Sequence, residues 1–402
     1  MAGKPNWPFK KKEAAGTVIR YRGSVDRIFL GLVLIMVCLG TIMIASASYA
    51  NSLEYNEDSY FFIKKQAAMA ALGLVAMVTM IRFGDYIWLE KFTICYFALA
   101  VAVNYLTAFF GTYKNGARRW FDIPIVNISV QPSEFLKLAM VMVFAYCISK
   151  KAEEMKKAKW GVGVSLLITA FAAFSLLLQK HISGLIIVGT LCVAMMMLGN
   201  APAWFLGLVG AGAVGAVAVL LQFTEPIVEF LGSTSLAHVG KRLAAWRNPY
   251  ADPLGDGHQI IQSLYAIGSG GWTGVGLGQS KQKYLYLPEP QNDYIFAIIC
   301  EELGFVGAIL IIAAFGMLVW RGVRIAYRAP DKFSSYLVMG ITVKTALQVL
   351  LNIAVVTNIF PATGITMPFF SYGGTALVVL MAEMGIILSV SQYSYEKPKK
   401  EQ

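Results

Sequence analysis

The stretch Tyr284-Leu-Tyr-Leu-Pro-Glu-Pro-Gln-Asn-Asp-Tyr-Ile-Phe-Ala-Ile-Ile-Cys-Glu-Glu-Leu-Gly304 joins a polar, proline-bearing loop to an apolar run, and Asp293 stands at the join. An apolar run with this length and entry reads as a helix passing into lipid. Asp293 then has two readings. It could cap the helix, with Asn292 or Asp293 accepting from the first free amides. Alternatively, partial desolvation at the lipid boundary disfavours its charged form and moves it toward service as a general base.

Working outward from this stretch, the same pattern recurs along the chain. Ten apolar segments of about the 20 residues a span needs lie at roughly 26–48, 62–83, 87–110, 133–149, 161–179, 183–199, 202–222, 293–320, 333–358 and 374–391. The residues are 57% hydrophobic and only 14% charged, and mean hydropathy is +0.60, which no water-soluble core of 402 residues requires. The expected fold is an all-α polytopic membrane protein of about ten transmembrane helices, with a large extracellular loop between helices 7 and 8. Residues 26–391 form one membrane domain, 223–292 its large outer loop, and 1–25 and 392–402 basic cytoplasmic tails. A basic start, an apolar run and Ala45-Ser-Ala47 resemble a cleaved signal, but the run exceeds the usual 7–15 residues, so an uncleaved first span is expected.

The net charge of +11 suggests nucleic acid until the basic residues are placed on this topology. With both termini inside, 20 of the 34 Lys and Arg face the cytoplasm, and Glu54, Glu57 and Asp58 face outward. The positive-inside rule accounts for most of the excess, and no nucleic-acid partner is needed. The five cysteines all lie within spans and read as small buried hydrophobes. His181, His238 and His258 have no metal-binding spacing.

Two outer loops depart from short connections. The first carries Asn115-Gly-Ala-Arg-Arg-Trp120, placing Arg118 and Arg119 on the side where the charge rule disfavours them. They would either bind an anionic headgroup through their guanidinium forks or snorkel beside Trp120 as interfacial anchors. Val130-Gln-Pro-Ser-Glu-Phe-Leu-Lys137 follows: Pro132 suits a first helical turn, and Glu134 and Lys137 share one face three residues apart. The pair either fixes helix packing or also presents Lys137 to a ligand. The long loop holds the basic, aromatic stretch Lys241-Arg-Leu-Ala-Ala-Trp-Arg-Asn-Pro249 and the run Gly268-Ser-Gly-Gly-Trp-Thr-Gly-Val-Gly-Leu-Gly278. That run follows no predicted strand and lacks the Gly-Lys-Ser/Thr ending of a nucleotide loop, so it reads as backbone brought close to a ligand or a neighbouring span. Of Glu301 and Glu302, at least one should face protein, and Lys344 is a further buried cation. The turn Pro361-Ala-Thr-Gly-Ile-Thr-Met-Pro-Phe-Phe-Ser-Tyr-Gly-Gly-Thr375 predicts irregular backbone at membrane depth, which requires a cavity.

Together these stretches resemble one family, the SEDS proteins of bacterial shape, elongation, division and sporulation. The resemblance rests on Asn115-Gly-Ala with Arg119-Trp120, Gln131-Pro-Ser-Glu134 with Lys137, Gly276 to Asp293, Glu301-Glu-Leu-Gly304, and Pro361-x-x-Gly364 through Ser371-Tyr-Gly-Gly374. Tyr286-Leu-Pro-Glu-Pro-Gln is closer to the FtsW and SpoVE branch than to RodA. The resemblance implies a ten-span peptidoglycan glycosyltransferase that polymerises lipid II at the outer membrane face with a class B penicillin-binding transpeptidase and other divisome or elongasome membrane proteins. It maps the catalytic aspartate onto Asp293, the membrane pair onto Glu134 and Lys137, and the loop arginine onto Arg119; Arg242, Lys283 and Ser371 are further substrate-binding candidates. A divalent cation, magnesium or manganese, could share the diphosphate charge, although no loop carboxylate cluster calls for one. Two departures stand out. Gln291-Asn-Asp-Tyr294 replaces the family's His-Thr-Asp-Phe, and Lys180-His181 replaces its Pro-Asp or Pro-His, which leaves that turn off the candidate site. The competing readings are a lipid II flippase or transporter and a noncatalytic membrane scaffold.

Overall fold

The computed structural model describes residues 23–114, 116–123, 128–234 and 237–393. The expected tails over 1–22 and 394–402, and Asn115, lie outside the described residues. Helix α1 (Arg27–Ala47) and the short α2 (Tyr49–Asn56) lead to α3 (Phe61–Phe83) and α4 (Tyr86–Phe110). Strands β1 (Thr112–Lys114), β2 (Ala117–Ile123) and β3 (Ile128–Val130) precede α5 (Pro132–Lys150) and a turn of helix, α6 (Ala152–Met155). Then come α7 (Ser165–Leu178), entered through a wide π turn at Ala158–Val164, α8 (Ile182–Leu198) and α9 (Ala203–Gln222). The long loop contributes α10 (Thr224–Gly232), α11 (Ala237–Arg247) and α12 (His258–Ser269), and the chain closes with α13 (Ile295–Arg328), α14 (Lys332–Val356) and α15 (Gly374–Ser391).

Among the described residues, nine helices are long and apolar enough to cross a membrane, and α8 is a shorter apolar tenth. The spans therefore fall where hydropathy places them. Charge decides which helices occupy the centre. Helices α5, α14 and α15 carry Glu134, Lys137, Lys344 and Glu383, and they are the helices most enclosed by their neighbours. Ionisable groups at membrane depth are costly in lipid and must face protein. At the other extreme α9 buries none of its residues.

Two features differ from the expected all-helical plan. The first outer loop folds as an antiparallel sheet in the order β1-β2-β3, with Thr112 opposite Trp120 and Phe121 opposite Val130. Gly116, at φ +77°, turns β1 into β2. The second concerns the eighth span, which runs to Arg328 rather than 320. A straight helix of its 34 residues would reach about 50 Å against a hydrocarbon core of about 30 Å. It is broken at Gly304, whose φ of +67° and ψ of −170° are not helical. The glycine-rich run fills the break: Phe305 N donates to Gly271 O at 2.9 Å and Val306 N to Trp272 O at 3.1 Å. In return Val275 N donates to Glu301 O and Gly276 N to Glu302 O. The orphaned amides and carbonyls of the interrupted helix are thus satisfied by one segment. A side chain on Gly304 would place its Cβ 2.2 Å from Gly274 N. Of the two functions the sequence leaves open for the glycine run, close approach to a neighbouring span is the one observed.

Both glutamates beside the break face protein. Glu301 accepts from Ser280 Oγ and from Lys281 N at 2.9 Å; Glu302 accepts from Ser46 Oγ at 2.6 Å and pairs with Lys283 Nζ at 3.0 Å. This network fastens the loop after the glycine run to α1 and α13.

Candidate active site

Asp293 lies one residue ahead of the α13 N-cap, Tyr294, and no side-chain capping bond is made at this helix end. Three hydrogen bonds hold the segment Gln291–Asp293. Asn352 Nδ2, on α14, donates to Asp293 O at 2.8 Å and to Ile365 O at 2.6 Å. Two residues earlier, Gln291 O accepts from Tyr372 N at 2.8 Å, and Gln291 Oε1 accepts from Asn51 Nδ2 at 3.0 Å. The carboxylate faces Gly364, at φ +74° in the irregular turn before α15, where a Cβ would come 3.1 Å from Asp293 Oδ2.

The half-buried carboxyl is pushed from 3.8 up to about 6, chiefly by burial. Arg242 and Arg119 pull it down, and Glu289 adds to the rise. A carboxylate with this balance is ionised near neutrality yet able to hold a proton, the condition for general base work. A cavity of about 400 Å³ lined by Arg242, Asp256, His258 and Gln259 reaches the next residue, Tyr294, and does not include Asp293 in its lining.

The two guanidinium groups reach this point from separate elements. Arg242 extends from α11, exposed, and donates to Ala362 O at 3.3 Å. Arg119 projects from β2 and donates through Nη2 to Lys180 O at 2.7 Å, while its buried Nε has no partner. Burial and Arg242 lower the Arg119 value and Asp293 raises it. Among the described residues no carboxylate pairs directly with either arginine, which leaves both free to meet an anion.

Deeper in the bundle, Glu134 Oε2 and Lys137 Nζ pair at 2.7 Å on α5, both buried. A second buried pair, Lys344 with Glu383, joins α14 to α15. Between them lies a cavity of about 30 Å³ lined by Glu134, Lys344, Gln348, Thr366 and Ser371, large enough for a water molecule. Ser371 Oγ accepts from Met367 N at 2.7 Å and so also shapes the turn. Of the sequence candidates, Asp293, Arg119 and Arg242 act on one another through their charges, while Glu134, with Lys137 paired to it, and Ser371 gather around the second cavity. Lys283 is elsewhere: it is buried, bonded to Glu302 and to Ser46 Oγ at 3.1 Å, with its charge already matched.

The turn left off the candidate site lies against these cations. His181 is buried, its Nε2 is 3.5 Å from Gln131 Nε2, and burial first, then Arg119 and Lys137, depress its protonation. The available signal was a histidine and glutamine entering a span beside charged neighbours. Among the described residues no three His, Cys, Asp or Glu side chains gather as a cation site.

Among the described residues, nine span-length apolar helices and a shorter tenth around paired buried charges, with a carboxylate and two arginines in the connecting segments, define a polytopic membrane protein. Residues 26–396 match the FTSW_RODA_SPOVE family model, described as cell cycle protein. The chain is 40% identical over 380 residues to stage V sporulation protein E of Bacillus subtilis, covering 92% of this chain and 98% of that one. It is 35% identical over 368 residues to a probable peptidoglycan glycosyltransferase FtsW of Geobacter metallireducens, covering 91% and 94%. Its fold superposes with a TM-score of 0.73, at 25% identity, on a chain solved in work on structural coordination of polymerization and crosslinking by a peptidoglycan synthase complex, covering 93% and 99%. RodA of Thermus thermophilus gives 0.66 at 24% identity, covering 93% and 98%, a likeness of fold. This chain belongs to the FtsW, RodA and SpoVE family.

Proposed function

We propose that this chain is a peptidoglycan glycosyltransferase of division or sporulation that polymerises lipid II at the outer face of the bacterial cytoplasmic membrane, both its termini lying in the cytoplasm. The observation that carries the reading is Asp293: a half-buried carboxyl raised to about 6, free of capping duty, with the charges of Arg242 and Arg119 acting on it. Its relatives' names supply the reaction class.

Outside the cytoplasm nucleoside triphosphates are absent, so the donor must arrive activated, as a sugar on a lipid diphosphate. Asp293 takes the proton of the acceptor hydroxyl while that oxygen attacks the anomeric carbon. The bond from that carbon to the diphosphate oxygen breaks, its electron pair leaving with the diphosphate, and the carbon inverts. Arg119, Arg242 and Lys137 offset the negative charge that grows on the leaving group. A magnesium or manganese ion bound with the substrate would add to that charge balance. A class B penicillin-binding transpeptidase is the expected partner for crosslinking, supported by the synthase complex that shares this fold.

Purified protein supplied with lipid II, with the transpeptidase present and absent, tests the reading. Polymer from wild type and none from Asp293→Ala supports it. Lipid movement across vesicles without new glycosidic bonds would favour the flippase, and function surviving neutral replacements at Asp293 and Lys137 would favour a scaffold.

A further inference from the structure

Two helices begin side by side at the site end, and neither has a side-chain cap. Helix α5 starts after Gln131 with Pro132 in its first turn, and α8 starts after His181. Helix N-termini leave amides free and carry partial positive charge. Around these two ends several buried polar atoms lack partners: Arg119 Nε, Ser133 Oγ, Gln179 Oε1 and His181 Nδ1. His181 is only 7% exposed, and its ring lies over the first turn of α8, where a Cβ on Gly184 would meet Nδ1 at 2.8 Å. Glycine at 184 therefore lets the imidazole cover the helix end.

Charge at this point is one-sided. Lys137 is matched by Glu134, but Arg119 has no carboxylate on it, and its Nη2 is anchored on Lys180 O beside His181. Burial, Arg119 and Lys137 hold the imidazole down to about 3, so it is neutral and carries one N–H. Gln131 Nε2 faces His181 Nε2, the arrangement in which Nε2 accepts and the ring proton sits on Nδ1. A buried, neutral donor among cations and helix N-termini lacks only an anionic acceptor.

We propose that His181, with Arg119 and the N-terminal turn of α8, forms an anion seat that takes the diphosphate oxygens of the lipid substrate. This rests on the glycosyltransferase reading for the identity of the lipid and extends it to a residue outside the catalytic carboxylate. The imidazole acts as a neutral donor, giving direction where the guanidinium gives charge.

Binding of a polyprenyl diphosphate to the full chain in nanodiscs tests the seat without requiring turnover. His181→Phe keeps the ring footprint and removes the N–H; His181→Asn keeps an amide donor near Nδ1. Loss of one hydrogen bond to a charged group predicts about tenfold weaker binding for His181→Phe, with Asn within about threefold of wild type and all melting temperatures alike. Wild-type affinity in His181→Phe, or equal losses in both variants together with lowered melting temperatures, would overturn the seat. So would equal binding of the polyprenyl alcohol. Displacement by inorganic pyrophosphate supports the seat with the bare diphosphate as the recognised group; lack of displacement, with the His181→Phe loss intact, supports it with the lipid-borne headgroup. If wild type makes no polymer while His181→Phe still loses the lipid, the seat stands and the glycosyltransferase reading falls.

Discussion

Asn352 donates its amide to the main-chain oxygen of Asp293 at 2.8 Å, and through the same nitrogen to Ile365 at 2.6 Å, so one fully buried side chain fixes the base against the turn it faces. Replacing it by alanine removes both bonds and leaves two buried carbonyls unpaired, a loss of about 2 to 4 kcal/mol. Polymerisation by Asn352→Ala should fall through kcat more than KM, because the base is displaced while the cations remain. Steady-state rates on lipid II check this; a pure KM effect would show that Asn352 serves binding instead.

The Asp293 value makes a pH prediction with a definite sign. A base must be unprotonated, so activity falls as pH drops through about 6, reaching about a tenth of its plateau one unit lower. Stability runs the other way. The folded value lies above the ordinary 3.8, so protonated Asp293 favours the fold, and that contribution is lost as pH rises through about 6. Asp293→Asn should therefore be inactive yet melt higher than wild type at pH 8, with the difference shrinking toward pH 4. A melting difference independent of pH would argue that the carboxyl is not desolvated.

Much of this was legible in the sequence, for a physical reason. A span is a local property, so hydropathy located ten segments, and the cost of charge in lipid singled out Glu134, Lys137 and Lys344 as facing protein. What escaped depends on residues far apart. The partner of Lys344 is Glu383 on α15, unremarkable in its own segment. The break at Gly304 is invisible locally because the segment that completes it lies some thirty residues upstream. The sheet of β1 to β3 was written more openly, in an Asn115-Gly116 hairpin signal within a loop read only for its charges. His181 was set aside on a motif difference, and its meaning comes from Arg119 and Lys137, which the chain delivers from other elements.

The helix break can be tested by contrast between glycines. Gly304→Ala adds a Cβ at 2.2 Å from Gly274 N on a residue at φ +67°, and should destabilise the protein by more than about 3 kcal/mol or prevent accumulation. Gly268→Ala, with open space at its Cβ and no positive φ, should be silent. Thermal melts in detergent separate the two; equal behaviour would mean that the glycine run does not hold α13.

Lys283 poses the sharpest choice between substrate binding and structure. Its ammonium and the Glu302 carboxylate are almost wholly enclosed, and Ser46 Oγ bonds to both. Lys283→Met leaves Glu302 charged and unmatched, at a cost of about 3 to 5 kcal/mol. Removing the second charge as well, in Lys283→Met/Glu302→Gln, should restore most of that stability, since a neutral pair carries no uncompensated charge. If the lysine only braces the loop that leads to Asp293, polymerisation returns with stability in the double variant. Recovered folding with activity still lost, and an increased KM for lipid II, would instead place Lys283 on the substrate. Melting curves and steady-state kinetics on the two variants decide between them.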